Sequence, residues 1–151
     1  MLIVPLSLAT TIGILLGKML VLRGQLAERN QLFSALADFA LEFTYFRKIG
    51  GEYEYVSPAC KRLTGYEQED FYRQANFMDQ LIHPDDMAIW GRHVHNINGE
   101  GVAEALEFRI ICREGQIRWV EHLCSTVKDA KGNTIGVRST NVDITQRKAY
   151  E

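Results

Sequence analysis

Residues 104–128 read EALEFRIICREGQIRWVEHLCSTVK. Two runs rich in Ile, Val, Phe and Trp flank Glu114-Gly115, a dipeptide that favours a tight hairpin. With a two-residue loop, Arg113 faces Gln116. Leu106 then opposes Leu123, Phe108 opposes Glu121, Ile110 opposes Trp119 and Cys112 opposes Ile117, a mostly apolar face. The other face pairs Ala105 with Cys124, Glu107 with His122, Arg109 with Val120 and Ile111 with Arg118. Apolar groups occur on both faces, so both are expected to be covered at least in part. The assignment hangs on the loop, because a one-residue slip exchanges the faces.

Downstream, Asp129 to Asn133 (DAKGN) reads as a turn and Thr134 to Asp143 (TIGVRSTNVD) as a last strand. Upstream, Pro84 opens the longest internal helix. Met87, Trp90, Val94 and Ile97 share one face of it, suited to covering a sheet, and Asn98-Gly99 ends it. Earlier still, Phe39 to Lys48 (FALEFTYFRK), Gly50-Gly51 and Glu52 to Val56 (EYEYV) form a hairpin pattern. Ser57-Pro58 suits a helix start, with Ser57 as the cap. The short helix PACKRLT stops at Gly65, Glu67 to Tyr72 adds a turn or two, and Asn76 caps another through Leu81. Strands, then helices, then strands predict an α+β fold. It has a five-stranded antiparallel sheet with short helices on one face, preceded by a long N-terminal helix.

That first helix begins in an apolar run, LIVPLSLATTIGILLGKMLVL (Leu2 to Leu22), whose one charge is Lys18. As a helix it is about 30 Å long, the thickness of a bilayer core. A transmembrane anchor is therefore expected over 1–22. A signal peptide is the rival, but the segment has no basic n-region and no clear cleavage site. A soluble, packed helix is the other alternative. Lys18, Arg23 and Arg29 place the rest of the chain on the cytoplasmic side of an inner membrane. Without insertion the chain would be soluble and cytoplasmic. Leu15, Met19, Leu22, Leu26, Arg29, Phe33, Leu36 and Ala40 continue at a/d spacing. Residues 23–38 thus read either as one strand of a parallel coiled-coil dimer or as an amphipathic helix packed on its own domain.

Composition excludes several functions. The 151 residues are 46% hydrophobic and 24% charged, which is globular. Lys+Arg 17 against Asp+Glu 19 gives a net charge of -2, with no cationic surplus for nucleic acid. The cysteines Cys60, Cys112 and Cys124 form no CxxC and no disulfide framework. HExxH, GxSxG, P-loop and GxGxxG motifs do not occur, so no catalytic residues and no enzyme activity are expected. His122 and Cys124 share a strand face, but without an oxyanion donor they read as a buried cysteine beside a structural histidine. His93 and His95 point about 200° apart on a helix, so they form no metal site, and none is expected.

Four stretches occur in a telling order: EYEYVSPACKRLTGY (52–66), LIHPDD (81–86), EFRIICREGQIRWVE (107–121) and DAKGNTIGVRSTNVDITQRK (129–148). Together they resemble a PAS sensor domain with an attached PAC motif. The resemblance implies a PAS domain over 39–145, with an output linker helix starting at 146–151. It also implies signal transduction, through sensing or homodimerisation. The output would be a two-component histidine kinase or a cyclic-di-GMP enzyme of the diguanylate cyclase type. That output lies outside this chain, which is then a fragment or a partner acting in trans. Haem-binding relatives use a histidine on the long helix. His93 is the candidate, since His95 lies off the apolar face, but haem is not expected. Flavin is not expected either, because Cys60-Lys61-Arg62-Leu63 does not match the flavin motif. A candidate small-molecule pocket comprises Glu107, Arg109 and His122 with Trp90 and Met87; the alternative is a solvated ion-pair cluster. His83, before Asp85 and Asp86, reads as structural. Asp143, Thr145 and Arg147 are candidates for relaying the state of the sheet to the output helix, Thr145 as its cap and Asp143 or Arg147 through an ion pair. A ligand-free homodimerisation scaffold and a haem-binding redox protein are the rival functions.

Overall fold

The computed structural model describes residues 7–38, 41–95 and 105–151. The chain divides into two compact units, Met1–Phe39 and Ala40–Glu151.

The first unit is helix α1, Leu8–Asp38, 31 residues without a break. Ser7 starts it, its hydroxyl accepting from the Thr10 backbone N–H. Leu15, Met19, Leu22, Leu26, Phe33 and Leu36 are all exposed along it. Of the anchor expected over 1–22, residues 1–6 lie outside the described residues; among the described residues no helix is long and apolar enough to cross a membrane. The apolar part of α1 runs from Leu8 to Leu22, about 22 Å, short of the roughly 30 Å of a hydrocarbon core. Arg23, Gln25 and Glu28 follow at once.

The second unit is built on five strands: β1 (Phe43–Lys48), β2 (Tyr53–Val56), β3 (Leu106–Ile111), β4 (Ile117–Lys128) and β5 (Thr134–Asp143). Their order in the sheet is β2-β1-β5-β4-β3, with every neighbouring pair antiparallel. Helices α2 (Ala59–Thr64), α3 (Gln68–Arg73) and α4 (Met87–His95), with 3-10 turns at Phe77–Leu81 and Pro84–Asp86, lie between β2 and β3 in sequence. Helix α5 (Thr145–Tyr150) follows β5. This is the expected α+β architecture. The first strand begins at Phe43, not at Phe39, and the expected stop of α4 at Asn98-Gly99 lies outside the described residues.

The β3–β4 register differs from expectation by one residue. Leu106 pairs with His122, Glu107 with Glu121, Phe108 with Val120 and Arg109 with Trp119. The cause is the loop. The Cys112 N–H donates to Gln116 O (2.8 Å) and the Gly115 N–H to Cys112 O (2.9 Å), so Arg113, Glu114 and Gly115 all lie in the turn. Gly115 has φ +83°, the left-handed position that closes a three-residue hairpin loop. The slip turns Val120, His122 and Cys124 inward beside Phe108 and Ile110. Trp119, Glu121 and Leu123 are left on the outer face.

Aromatic edges build much of the core. Phe71 meets Phe43 (5.2 Å), Tyr53 (5.6 Å) and Phe77 (5.0 Å) edge-on. Each such pair adds about 0.5–1.5 kcal/mol beyond its burial. Ser57 does not cap α2 as expected. Its hydroxyl accepts from the Thr44 N–H (2.9 Å) and donates to Glu42 O (3.2 Å), tying the chain back to β1. The outer edge of β3 is also covered. Ile82 bridges to Ile110, the His83 N–H donates to Arg109 O (2.8 Å), and the Arg109 N–H donates to Asp86 Oδ2 (2.8 Å). An open strand edge invites pairing with other chains, and this segment closes it.

Candidate functional site

Strand β4 places His122 and Cys124 two residues apart, hence on one face of the sheet. Helix α4 lies over that face and brings Trp90 and His93 down onto it. His93 Nε2 and Cys124 Sγ share a hydrogen bond of 3.0 Å. The His93 ring stacks on Trp90 (5.8 Å between centroids) and meets His122 edge-on (5.0 Å). A nitrogen from each histidine and the Cys124 sulfur all lie within 4.8 Å of one another.

The second ring of contacts fixes this cluster. His122 is 1% exposed. Its Nδ1 lies 2.7 Å from Asn141 Oδ1, while Asn141 Nδ2 donates to Phe43 O (3.1 Å). A carbonyl can only accept, so the amide orientation is set and Oδ1 must accept from Nδ1–H. The lone pair of His122 therefore sits on Nε2. Burial pushes the His122 pKa down to about 4, against the hydrogen bond to Asn141, which favours protonation. Burial likewise lowers His93, and it raises the Cys124 thiol, which the nearby Arg47 cation pulls the other way. Arg47 is itself 5% exposed; its Nη1 donates to Asn76 Oδ1 (2.9 Å) and stands 3.5 Å from Asp79. Asp79 Oδ1 in turn accepts from Trp90 Nε1 (3.0 Å).

The residues grouped from the sequence separate. Only His122 and Trp90 lie in this buried cluster. Met87 is 46% exposed. Glu107 and Arg109 lie on the opposite face from His122, because of the register. Arg109 donates from Nε (2.9 Å) and Nη2 (2.7 Å) to the Asp86 carboxylate, which is held below the usual carboxylate range by that guanidinium. His83 Nδ1 accepts from the Asp85 N–H (3.2 Å) at the start of its turn.

Glu107 belongs instead to the docking of α5. It pairs with Arg147 and with Lys148 (2.6 Å), and Arg147 also pairs with Glu121 (3.2 Å). Lys148 Nζ and the Arg109 guanidinium each lie 5.4 Å from the centre of the Trp119 ring. Thr145 does not cap α5. Its hydroxyl accepts from the Trp119 N–H (3.0 Å), and Asp143 Oδ1 accepts from the Thr145 N–H (2.9 Å). Asp143 pairs with Arg118 (3.4 Å). The ties from Arg147 and Lys148 of α5 thus run to Glu107, Trp119 and Glu121 on the outer side of β3 and β4, and the inner side of β4 carries His122 and Cys124.

A separate cleft of about 250 Å³, lined by Glu42, Arg62, Arg118 and Asp143 among others, lies beside α2. Its arginines are already engaged: Arg62 donates to Leu41 O (2.8 Å) and Arg118 to Arg62 O (2.6 Å).

In the sequence His122 and Cys124 share a strand while His93 stands apart on a helix, and nothing marks Asn141 or Arg47 as their neighbours. A His-x-Cys pair on a strand, beneath a helix carrying a histidine at the border of its apolar face, is the signal that would have joined the three.

Residues 53–141 match the PAS fold family. Over 110 residues the chain is 29% identical to the methyl sulfide methyltransferase-associated sensor of Methanosarcina acetivorans; the match covers 72% of this chain and 11% of the length of that sensor. The fold is similar to a PAS domain from Colwellia psychrerythraea (TM-score 0.67, 22% identity, 78% of this chain and 98% of that one). It is also similar to the N-terminal domain of a diguanylate cyclase with PAS/PAC sensor from Marinobacter aquaeolei (TM-score 0.64, 17% identity, 71% and 98%). A sensory box histidine kinase/response regulator from Burkholderia thailandensis has the same fold (TM-score 0.59, 23% identity, 81% and 88%). With the strand order, the covering helices and the matched residues in agreement, the chain belongs to the PAS fold family.

Proposed function

We propose that this chain is a sensory module that reads the state of the cluster beneath α4 and relays it through α5 to an output domain of the histidine kinase or diguanylate cyclase type. The observation that carries this reading is the alternation along β4. His122 and Cys124 face the buried cluster, while Trp119 and Glu121 hold α5. A strand is stiff across its width, so a shift on one face displaces the other. Asp143, Thr145 and Arg147 then act as relay residues, each linking α5 or its approach to the sheet. The kinase and cyclase carrying similar domains support the class of output, and the methyltransferase-associated sensor supports sensing. The exposed apolar positions of α1 fit homodimerisation; Leu26→Asp should then weaken self-association in sedimentation experiments.

The test of the relay is hydrogen exchange on the full chain. His122→Gln perturbs only the buried side of β4. Amides of α5 and of Trp119 should change protection several-fold, while those of α2 stay constant. Unchanged α5 protection in a folded variant would refute the relay.

A further inference from the structure

We propose that His93, His122 and Cys124 together bind one zinc-class divalent ion, leaving a fourth coordination position open to an external ligand. Two imidazoles and a thiolate are ligands that zinc favours, whereas calcium and magnesium require oxygen ligands that this triad does not offer. Two elements supply the donors: β4 gives His122 and Cys124, and α4 gives His93.

The surroundings are those of a ligand set held in advance. The Asn141 amide, anchored on Phe43 O, holds the Nδ1 proton of His122 and so presents the other nitrogen as a base. A ligating histidine is commonly oriented by such a bond from its second nitrogen. His93 is oriented by its stacking on Trp90. The Arg47 cation would repel a metal ion, but it is drawn toward Asn76 and Asp79 and it favours the Cys124 thiolate.

Distances are close to what coordination needs. Zinc bonds of about 2.0–2.3 Å place two tetrahedral ligands roughly 3.3–3.7 Å apart. The donors now lie within 4.8 Å of one another, with His93 and Cys124 at 3.0 Å. Closure therefore asks for donor shifts of about 1.5 Å at most, with His93 and Cys124 moving slightly apart, within reach of side-chain rotation. The chemistry balances without redox: Cys124 releases its thiol proton to solvent, the sulfur forms the metal bond, and both imidazoles bind as neutral bases.

Binding would pin α4 onto β4. This names the ligand class for the sensing site proposed above and rests on that reading for its consequence, not for the binding itself. The test uses the untagged full chain, reduced and stripped with a chelator, titrated with Co2+ and then with Zn2+. One Co2+ per chain should give a sulfur-to-cobalt charge-transfer band, which Zn2+ abolishes. Cys124→Ser should remove the band, and the double variant Cys60→Ser/Cys112→Ser should keep it. His93→Ala, at a half-buried position, should weaken binding at least about tenfold, and Asn141→Ala about 10–100-fold. The assignment is overturned by absence of the band in chain that circular dichroism shows to be folded. It is equally overturned by a band that survives Cys124→Ser, or by affinity indifferent to His93→Ala. Hydrogen exchange with and without Zn2+ separates the two proposals. Metal binding that leaves α5 protection unchanged sinks the relay alone; an α5 response to His122→Gln without metal binding sinks the metal site alone.

Discussion

Acidification should unload stability from this domain through His122. The folded chain holds this imidazole neutral, with its pKa down to about 4 against an ordinary 6.5. The unfolded chain takes up the proton first, so stability falls as pH drops from about 6.5 and levels off near 4. At about 1.4 kcal/mol per unit of difference, the whole window is worth roughly 3 kcal/mol, most of it lost by pH 4.5. His93, also lowered by burial, acts in the same direction. The groups facing His122 include Arg47 and Tyr45 from β1, His93 and Trp90 from α4, Phe108 from β3, Cys124 from β4 and Asn141 from β5. None of them supplies a carboxylate to stabilise the imidazolium. Urea unfolding of the metal-free chain between pH 7 and 4.5, followed by tryptophan emission, reads the effect as a midpoint shift of about 1 M or more. His122→Gln keeps an N–H for Asn141 Oδ1 and removes the titration. The variant should lose most of the slope; wild type and variant declining in parallel would refute the assignment.

Asp86→Asn replaces the carboxylate that accepts three N–H groups of Arg109. It should cost about 1.5–3 kcal/mol, the worth of hydrogen bonds to a charged group, and an unchanged thermal midpoint would contradict this. Gly136→Ala places a Cβ 2.3 Å from Arg47 O and 2.9 Å from the Phe46 ring. Overpacking of this kind should destabilise the sheet by about 1–3 kcal/mol in denaturant melts. Glu107→Gln loosens the contacts with Arg147 and Lys148. It should speed exchange of the α5 amides while leaving the global unfolding midpoint in place.

The strands and helices were legible because their signals are local. Aromatic and β-branched runs mark β1, β3, β4 and β5, and Gly51, Gly65, Gly115 and Gly132 sit at left-handed turn positions. The register of β3 on β4 was not legible. Glu114-Gly115 suits a two-residue turn, yet Gly115 instead closes a longer loop, and that single residue parts His122 from Glu107 and Arg109 while leaving it with Trp90. The site depended on contacts that no local pattern encodes. His93 meets Cys124 across 31 positions, and Asn141 meets Phe43 across 98. The apolar run at the start reads as a span from hydropathy alone, and its described part, from Leu8 to Leu22, is too short for one.

Strand β5 is the last of the five strands to be synthesised, yet it stands at the centre of the sheet, between β1 and β4. Until Thr134–Asp143 is synthesised, the two hairpins on either side have no common partner, and each leaves a long row of backbone groups unpaired. Completion of the domain is therefore delayed until β5 itself has been made, when the closing contacts span most of the domain's sequence. A premature stop anywhere before Asp143 would strand adhesive hairpins in place of a shortened sensor, a product destined for chaperones or aggregates.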